Sequence, residues 1–222
     1  MKILINDRIQ FETNLTSGAE NVKKPDLISI SQLSSFTFNI PSSDINCIAV
    51  GNTDCTSLQL TLGTNIIVIP ITQTYPKIYY LSQKYTSITN VAVSLLTGSY
   101  IGRFALGEYR SVSIARNREP GIIPTESSEK TRGGQVVERS GGTSLRTIGF
   151  DLKNNIDSDI RSDVLAQRNK YIKGFPVFID FSDESDWVDM GDFYGHDKNK
   201  WNLQNGSNND LYTKKFNFEE CF

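Results

Sequence analysis

Between residue 27 and about residue 116 the chain reads as a run of short strands, several of them alternating apolar and polar residues and closed by a turn former. Ser35-Phe36-Thr37-Phe38-Asn39-Ile40 and Ser57-Leu58-Gln59-Leu60-Thr61-Leu62 are the clearest. A period of two puts successive side chains on opposite faces, which predicts half-buried strands and rules out amphipathic helices over these stretches. Leu27–Ile30, Asn46–Val50, Asn65–Ile71, Lys77–Leu81 and Ser87–Leu95 add further strand-like runs, punctuated by Gly51, Gly63, Pro76 and Gly98. Short strands at this spacing suggest a sandwich or jelly roll.

The flanking segments differ. Lys2–Ile5 predicts a first strand, and Thr13–Lys24, rich in Asn, Ser, Thr and Lys, reads as a loop or arm. Beyond Pro120-Gly121, Arg132–Val137 and Leu145–Leu152 read as the two sides of a long hairpin with Arg139-Ser140-Gly141-Gly142-Thr143 at its tip. Residues 158–173 predict one helix. Asp157 or Ser158 caps its start, Gly174 suits its end, and Pro176 prevents continuation. Phe175–Phe181 follows as a buried strand, then an acidic loop from Asp183 to Asp192, and Leu211–Phe218 as a last strand. The expected fold class is mainly β: two jelly-roll-like β-sandwich units, residues 1–116 with the polar arm and 117–222 with the hairpin and the helix.

Chemical equipment is sparse. With 23 basic against 25 acidic residues there is no positive excess to track phosphates or an anionic membrane. No apolar run approaches the roughly 20 residues of a spanning helix, and no signal peptide is expected because Asn6-Asp7-Arg8 interrupts the first apolar residues. Cys47, Cys55 and Cys221 are an odd set that reads as reduced thiols, with Cys47 in a strand core. A single histidine, His196, and no Cys-x-x-Cys pair argue against zinc. His196 has no nucleophile elbow to serve as base for, and reads as a surface residue. No glycine-rich phosphate loop is present. The acidic run Asp180, Asp183, Glu184, Asp186, Asp189, Asp192 could suit calcium but lacks EF-hand spacing, and reads as a solvated loop. A glycosidase would need two carboxylates on rigid strands flanking a cleft, whereas these fall on one predicted loop. The expectation is a non-enzyme without cofactor or metal. Trp187, Tyr194 and Trp201 could stack on a sugar or anchor a protein, or simply pack over the sheet end.

Tyr100-Ile101-Gly102-Arg103-Phe104-Ala105-Leu106-Gly107-Glu108-Tyr109, with Arg116–Gly121 after it, resembles a strand of tailed-bacteriophage structural proteins, in which a galactose-binding-like β-sandwich ends in an IGRFxLGxY-like strand. Arg132–Val137 with Ser144–Leu152, and the helix 158–173 followed by Gly174-Phe175-Pro176-Val177-Phe178-Ile179-Asp180, resemble minor or distal tail proteins. The likeness covers residues 80–222. It implies a virion protein made in a host cytoplasm, a tail or head–tail adaptor component that forms a homo-oligomeric ring and contacts other virion proteins, with no catalytic residues to carry over. The arm at about 6–26 and the hairpin, including Arg132, Gly133, Gly134, Gly141 and Gly142, are the expected contacts. The alternative is a carbohydrate-binding module of a receptor-binding protein, using Trp187, Tyr194 and Trp201.

Overall fold

The structure, a computed structural model, describes residues 1–5, 7–11, 15–24, 29–72, 76–112, 114–123, 127–130, 136–139, 145–152, 162–163, 167, 176–183, 192–197 and 215–220. Its strands are β1 (Lys2–Leu4), β2 (Ser31–Gln32), β3 (Ser35–Thr53), β4 (Ser57–Leu62), β5 (Asn65–Pro70), β6 (Lys77–Leu95), β7 (Tyr100–Gly107), β8 (Arg110–Ser111), β9 (Ile114–Ile123), β10 (Ser127–Lys130), β11 (Val136–Arg139), β12 (Leu145–Leu152), β13 (Pro176–Asp180), β14 (Asp192–Asp197) and β15 (Lys215–Glu220). The protein is mainly β and sandwich-like, as its alternation predicts.

One sheet runs β2-β7-β3-β6-β4-β5 and is antiparallel throughout. Several predicted short strands are fused in it: β3 and β6 each run for 19 residues. Their pairing slips between Asn39 and Cys47, the stretch that contains Pro41. Proline cannot donate to a ladder, and irregularities of this kind bend a strand and let it pass from one layer to another. The first half of β3 therefore lies with β6, β4 and β5 in an outer layer. Its second half lies with β7, β2 and the start of β6, Lys77 to Tyr80, in an inner one.

The two layers close on one core. Phe36 and Phe38 from the first half of β3 meet Phe104 of β7 edge-to-face, at 5.6 and 6.4 Å between ring centroids. Leu58, Leu60, Leu62, Val91 and Val93 fill the space beside them, all fully buried. At about 25 cal/mol per Å² of apolar surface, such packing dominates the stability of a small β domain.

The second sheet runs β8-β1-β13-β14-β15-β12-β9. It covers the other face of the inner layer, where Leu4, Phe178 and Tyr194 pack against Cys47, Ala49, Ile78 and Ala105. The inner layer is thus buried on both faces, and every residue from Ile101 to Gly107 is buried. This explains the continuous apolar run of β7, with Ala105 and Cys47 as the small residues that let a second sheet approach. The chain crosses between the sheets at its beginning: β1 pairs with β13 and β8, so a division at residue 116 does not follow the boundary between sheets.

Two expectations are corrected. The segment read as a loop or arm, and expected to contact neighbours, is a loop tied down where it is described. Ile9, Ala19 and Val22 are completely buried in the core, carried on two short 3₁₀ turns, Arg8–Phe11 and Glu20–Lys23. The hairpin exists, but with a different pairing: β11 pairs with β10, and β12 with β9 and β15. The ribbon therefore reverses between Lys130 and Val136 rather than at 139–143. The reason is pairing: β9 supplies Leu145–Leu152 with a longer partner than Arg132–Val137 could. Of the predicted helix, Ser162, Asp163 and Gln167 are described and helical; the rest lies outside the described residues. Asp163 and Gln167 are buried, and Arg110 Nε donates to Asp163 Oδ2 at 3.0 Å.

Candidate assembly surface

The outer layer turns one face to solvent. Along β3 this face carries Ser35, Thr37 and Asn39; along β4, Ser57, Gln59 and Thr61; along β6, Asn90, Ala92 and Ser94; along β5, Ile66, Val68 and Pro70. Leu96 continues the row beyond β6, its N–H bonded to Ser57 O at 3.0 Å. None of these side chains is charged, although 48 of the 222 residues of the chain are (23 basic and 25 acidic). Ile66, Val68 and Leu96 are 67%, 58% and 50% exposed; among the described residues Tyr80 is the one other large apolar side chain classed as exposed. A contiguous uncharged face with protruding aliphatic groups marks a place where another surface docks.

The edges of this layer are treated unequally. On the β3 side the chain blocks its own edge. Thr16 N–H donates to Thr37 O at 3.2 Å, and Thr37 N–H donates to Thr16 Oγ1 at 3.0 Å. In the inner layer the edge of β7 beyond its short pairing with β2 is closed by Asp7, whose Oδ1 accepts from Leu106 N–H at 3.1 Å. Asp7 Oδ2 forms an ion pair with Arg103, and both side chains are buried. Arg103 Nη1 also donates to Val22 O at 2.9 Å and Phe104 O at 3.0 Å. Burial pushes the Asp7 carboxyl up, against the pull of Arg103 and the two backbone donors, Leu106 and Ile9. β5 has no such cover among the described residues.

The open groups on β5 can be read from its pairing with β4. Ile71 N–H donates to Thr56 O at 2.9 Å, and Thr61 faces Ile66 while Gln59 faces Val68. Ladder bonds alternate along an antiparallel pair, so Leu58/Ile69, Leu60/Ile67 and Leu62/Asn65 carry them. The N–H and C=O groups of Ile66 and Val68 point the other way, to the open edge. Gly63 makes the register possible: at φ +60 it begins the two-residue link, where a side chain would be strained.

A second cluster lies where the sheets meet. Tyr80 of β6 donates its hydroxyl to Asp180 Oδ2 of β13, and Lys2 Nζ sits 4.5 Å above the Tyr80 ring and 3.1 Å from Asp183 Oδ2. Tyr109 meets Tyr80 edge-to-face at 5.0 Å. Asp180 and Asp192 are directly paired across β13 and β14. Burial raises Asp180, but bonds from Tyr80 and Ser182 and the charge of Lys2 outweigh it and hold the carboxyl below its usual range. Burial, then the Asp180 charge, push Asp192 up to about 6, with Lys77 opposing. The arrangement splits two carboxylates in protonation, as acid–base pairs do. Here the ionised partner is spent on clamping one sheet to the other.

Of the candidate site residues, Tyr194 is described, and it lies in the inter-sheet core at 1% exposure, 4.3 Å from the Phe178 ring centroid. Its ring cannot stack on a sugar; β14 is buried on both faces from Phe193 to Gly195. Trp187, Trp201, Arg132, Gly133, Gly134, Gly141 and Gly142 lie outside the described residues, as does Cys221. His196 is half-buried in β14. Cys47 and Cys55 are free and buried, and burial pushes the Cys47 thiol up. Among the described residues no three His, Cys, Asp or Glu side chains gather to hold a metal ion, and no helix is long and apolar enough to cross a membrane. The open β5 edge escaped the reading of the sequence, although Asn65-Ile66-Ile67-Val68-Ile69-Pro70 carried a signal: apolar residues at both parities in a strand next to alternating ones. Comparison of the chain with protein-family models, with curated proteins and with solved structures found no match.

Proposed function

We propose that the chain is a non-enzymatic structural protein of a tailed-phage virion, a tail or head–tail adaptor component that joins copies of itself and neighbouring virion proteins into a symmetric ring. The observation that carries an assembly role is the open edge of β5 beside an uncharged, partly apolar face. An unpaired strand edge is a template for another chain, and proteins that work alone usually blunt it. Here the chain blunts two edges with its own residues 7 and 16, and no described residue covers this one. The ribbon of β9 to β12 gives a second extended contact element. The phage assignment rests on the resemblance of Tyr100–Tyr109 and Gly174–Asp180 to tail-protein strands. Both segments are central to the fold: β7 is buried on both faces and β13 joins β1 to β14.

An antibody against the chain should decorate intact virus particles at one fixed position, and mass spectrometry should find the chain in washed particles. Its absence from them would overturn the virion assignment. Deleting residues 133–143 should change the size of the assembled oligomer; an unchanged size would remove the ribbon tip from the contacts.

A further inference from the structure

We infer that β5 is a self-pairing edge, which joins two copies of this chain by antiparallel β5–β5 pairing about a two-fold axis at Ile67. The inference deepens the assembly reading and rests on it for its biological meaning, but its physical basis is separate. The open groups of β5 are the N–H and C=O of Ile66 and Val68, two residues of the same parity with Ile67 between them, and the C=O of Pro70 at the strand's end. Brought against its own copy with Ile66 opposite the partner subunit's Val68, the edge satisfies every backbone group of Ile66 and Val68 and leaves out the Pro70 C=O at the strand's end: two directly opposed pairs, each exchanging both backbone bonds. The neighbouring registers do worse. Centring on Val68 places Ile66 against Pro70 of the other copy, which has no N–H to give. Centring on Ile66 sets Val68 against Thr64, in the turn.

Charge points to the same occupant. A two-fold axis sets a surface against itself, so any charged group near the axis meets its own like. The face carried by β3, β4, β5 and β6 has none. Self-pairing would align the two faces edge to edge into one continuous layer, with Ile66 of each copy beside the partner subunit's Val68 on its outer side. A partner recognised through charge would find nothing here to read. The contact closes at two copies; a ring then needs a second, head-to-tail contact elsewhere on the molecule.

The test uses the full chain in a Cys221→Ser background. Sedimentation velocity should find a concentration-dependent two-copy species that is lost in Val68→Lys and equally in Val68→Pro. The Val68 N–H points away from β4, so proline removes a bond from the partner and none from the fold. Circular dichroism and thermal melting should show both variants folded as the parent is. Register is read by cross-linking. Ile66→Cys and Val68→Cys variants should form a disulfide when mixed under oxidation, and neither should do so alone. Opposed residues lie about 5.5 Å apart between Cα atoms, whereas like residues fall on the diagonal at about 7–8 Å, beyond what a disulfide spans. A chain that stays monomeric at all concentrations, a two-copy species that survives Val68→Lys, or cross-linking of either variant alone would each overturn the inference. Presence in virus particles is decided independently: a virion protein whose oligomers ignore these substitutions keeps the assembly role and loses this contact, and a β5 dimer absent from particles does the reverse.

Discussion

Along β3 the outer layer ends against the chain's own Thr16, while along β5 no described residue covers it, and the two edges show what covering a strand requires. The β3 edge is met by a polar segment that can reach it because Ala19 and Val22 anchor that segment in the core. The β7 edge is met in the same way, with Asp7 and Arg103 as a buried charged clasp. Both closures use residues far away in sequence, 21 positions for Thr16 and Thr37 and 99 for Asp7 and Leu106. β5 follows β4 through a two-residue turn, and no segment of the described chain returns to its far side. The closed edges stabilise the monomer; the open one is free to spend its bonds on another molecule.

This contrast can be broken by substitution, beginning with the closed edge of β7. Asp7→Ala leaves Arg103 buried without its counter-charge and should cost about 3–5 kcal/mol in urea unfolding. A loss under 1 kcal/mol would mean the clasp is dispensable. The pair Asp7→Leu with Arg103→Met should recover most of the loss, since a well-packed apolar pair can replace a buried ionic one.

The junction between the sheets should respond to pH. The folded state holds the proton on Asp192 up to about 6, against an unfolded value of 3.8. It therefore binds more protons than the unfolded chain between those values, and the contribution of Asp192 is full below the lower one and lost as pH rises through the upper. Subtracting the stability–pH curve of Asp192→Asn from that of the parent should leave a decline across this window. A flat difference would show that neither burial nor the Asp180 charge raises the Asp192 carboxyl.

Thr16→Val removes the acceptor for Thr37 N–H on the closed β3 edge and should cost about 0.5–1.5 kcal/mol, a smaller loss because water can replace the bond. Ile66→Lys on the open edge should change monomer stability least, within about 0.5 kcal/mol, since its side chain already faces solvent. If Ile66→Lys destabilised the isolated chain as much as Thr16→Val does, the two edges would not differ in kind.

Much of the fold was legible in the alternation of apolar and polar residues. Ser35–Ile40 and Ser57–Leu62 are strands with the predicted faces, and Phe175–Phe181 contains the buried β13. Cys47 lies in a strand core, as the burial tendency of a free cysteine suggests. Strand fusion was not legible, because Pro41 reads as a breaker in one dimension and only the slipped pairing with β6 lets the strand continue past it. The site was less visible still. Ile66 and Val68 look like core residues by type, and Thr13–Lys24 looks like a loop or arm by composition.

By itself the sequence determined the β class, because a period of two cannot bury one face of a helix, and it determined a near balance of charge, 23 basic against 25 acidic residues. Tertiary structure alone decided which strand became an edge, which edge was covered, and that Tyr194 faced the core. Those outcomes depend on which distant segment arrives beside a strand. Local periodicity records the face a residue takes on its strand, not the neighbour that strand will find.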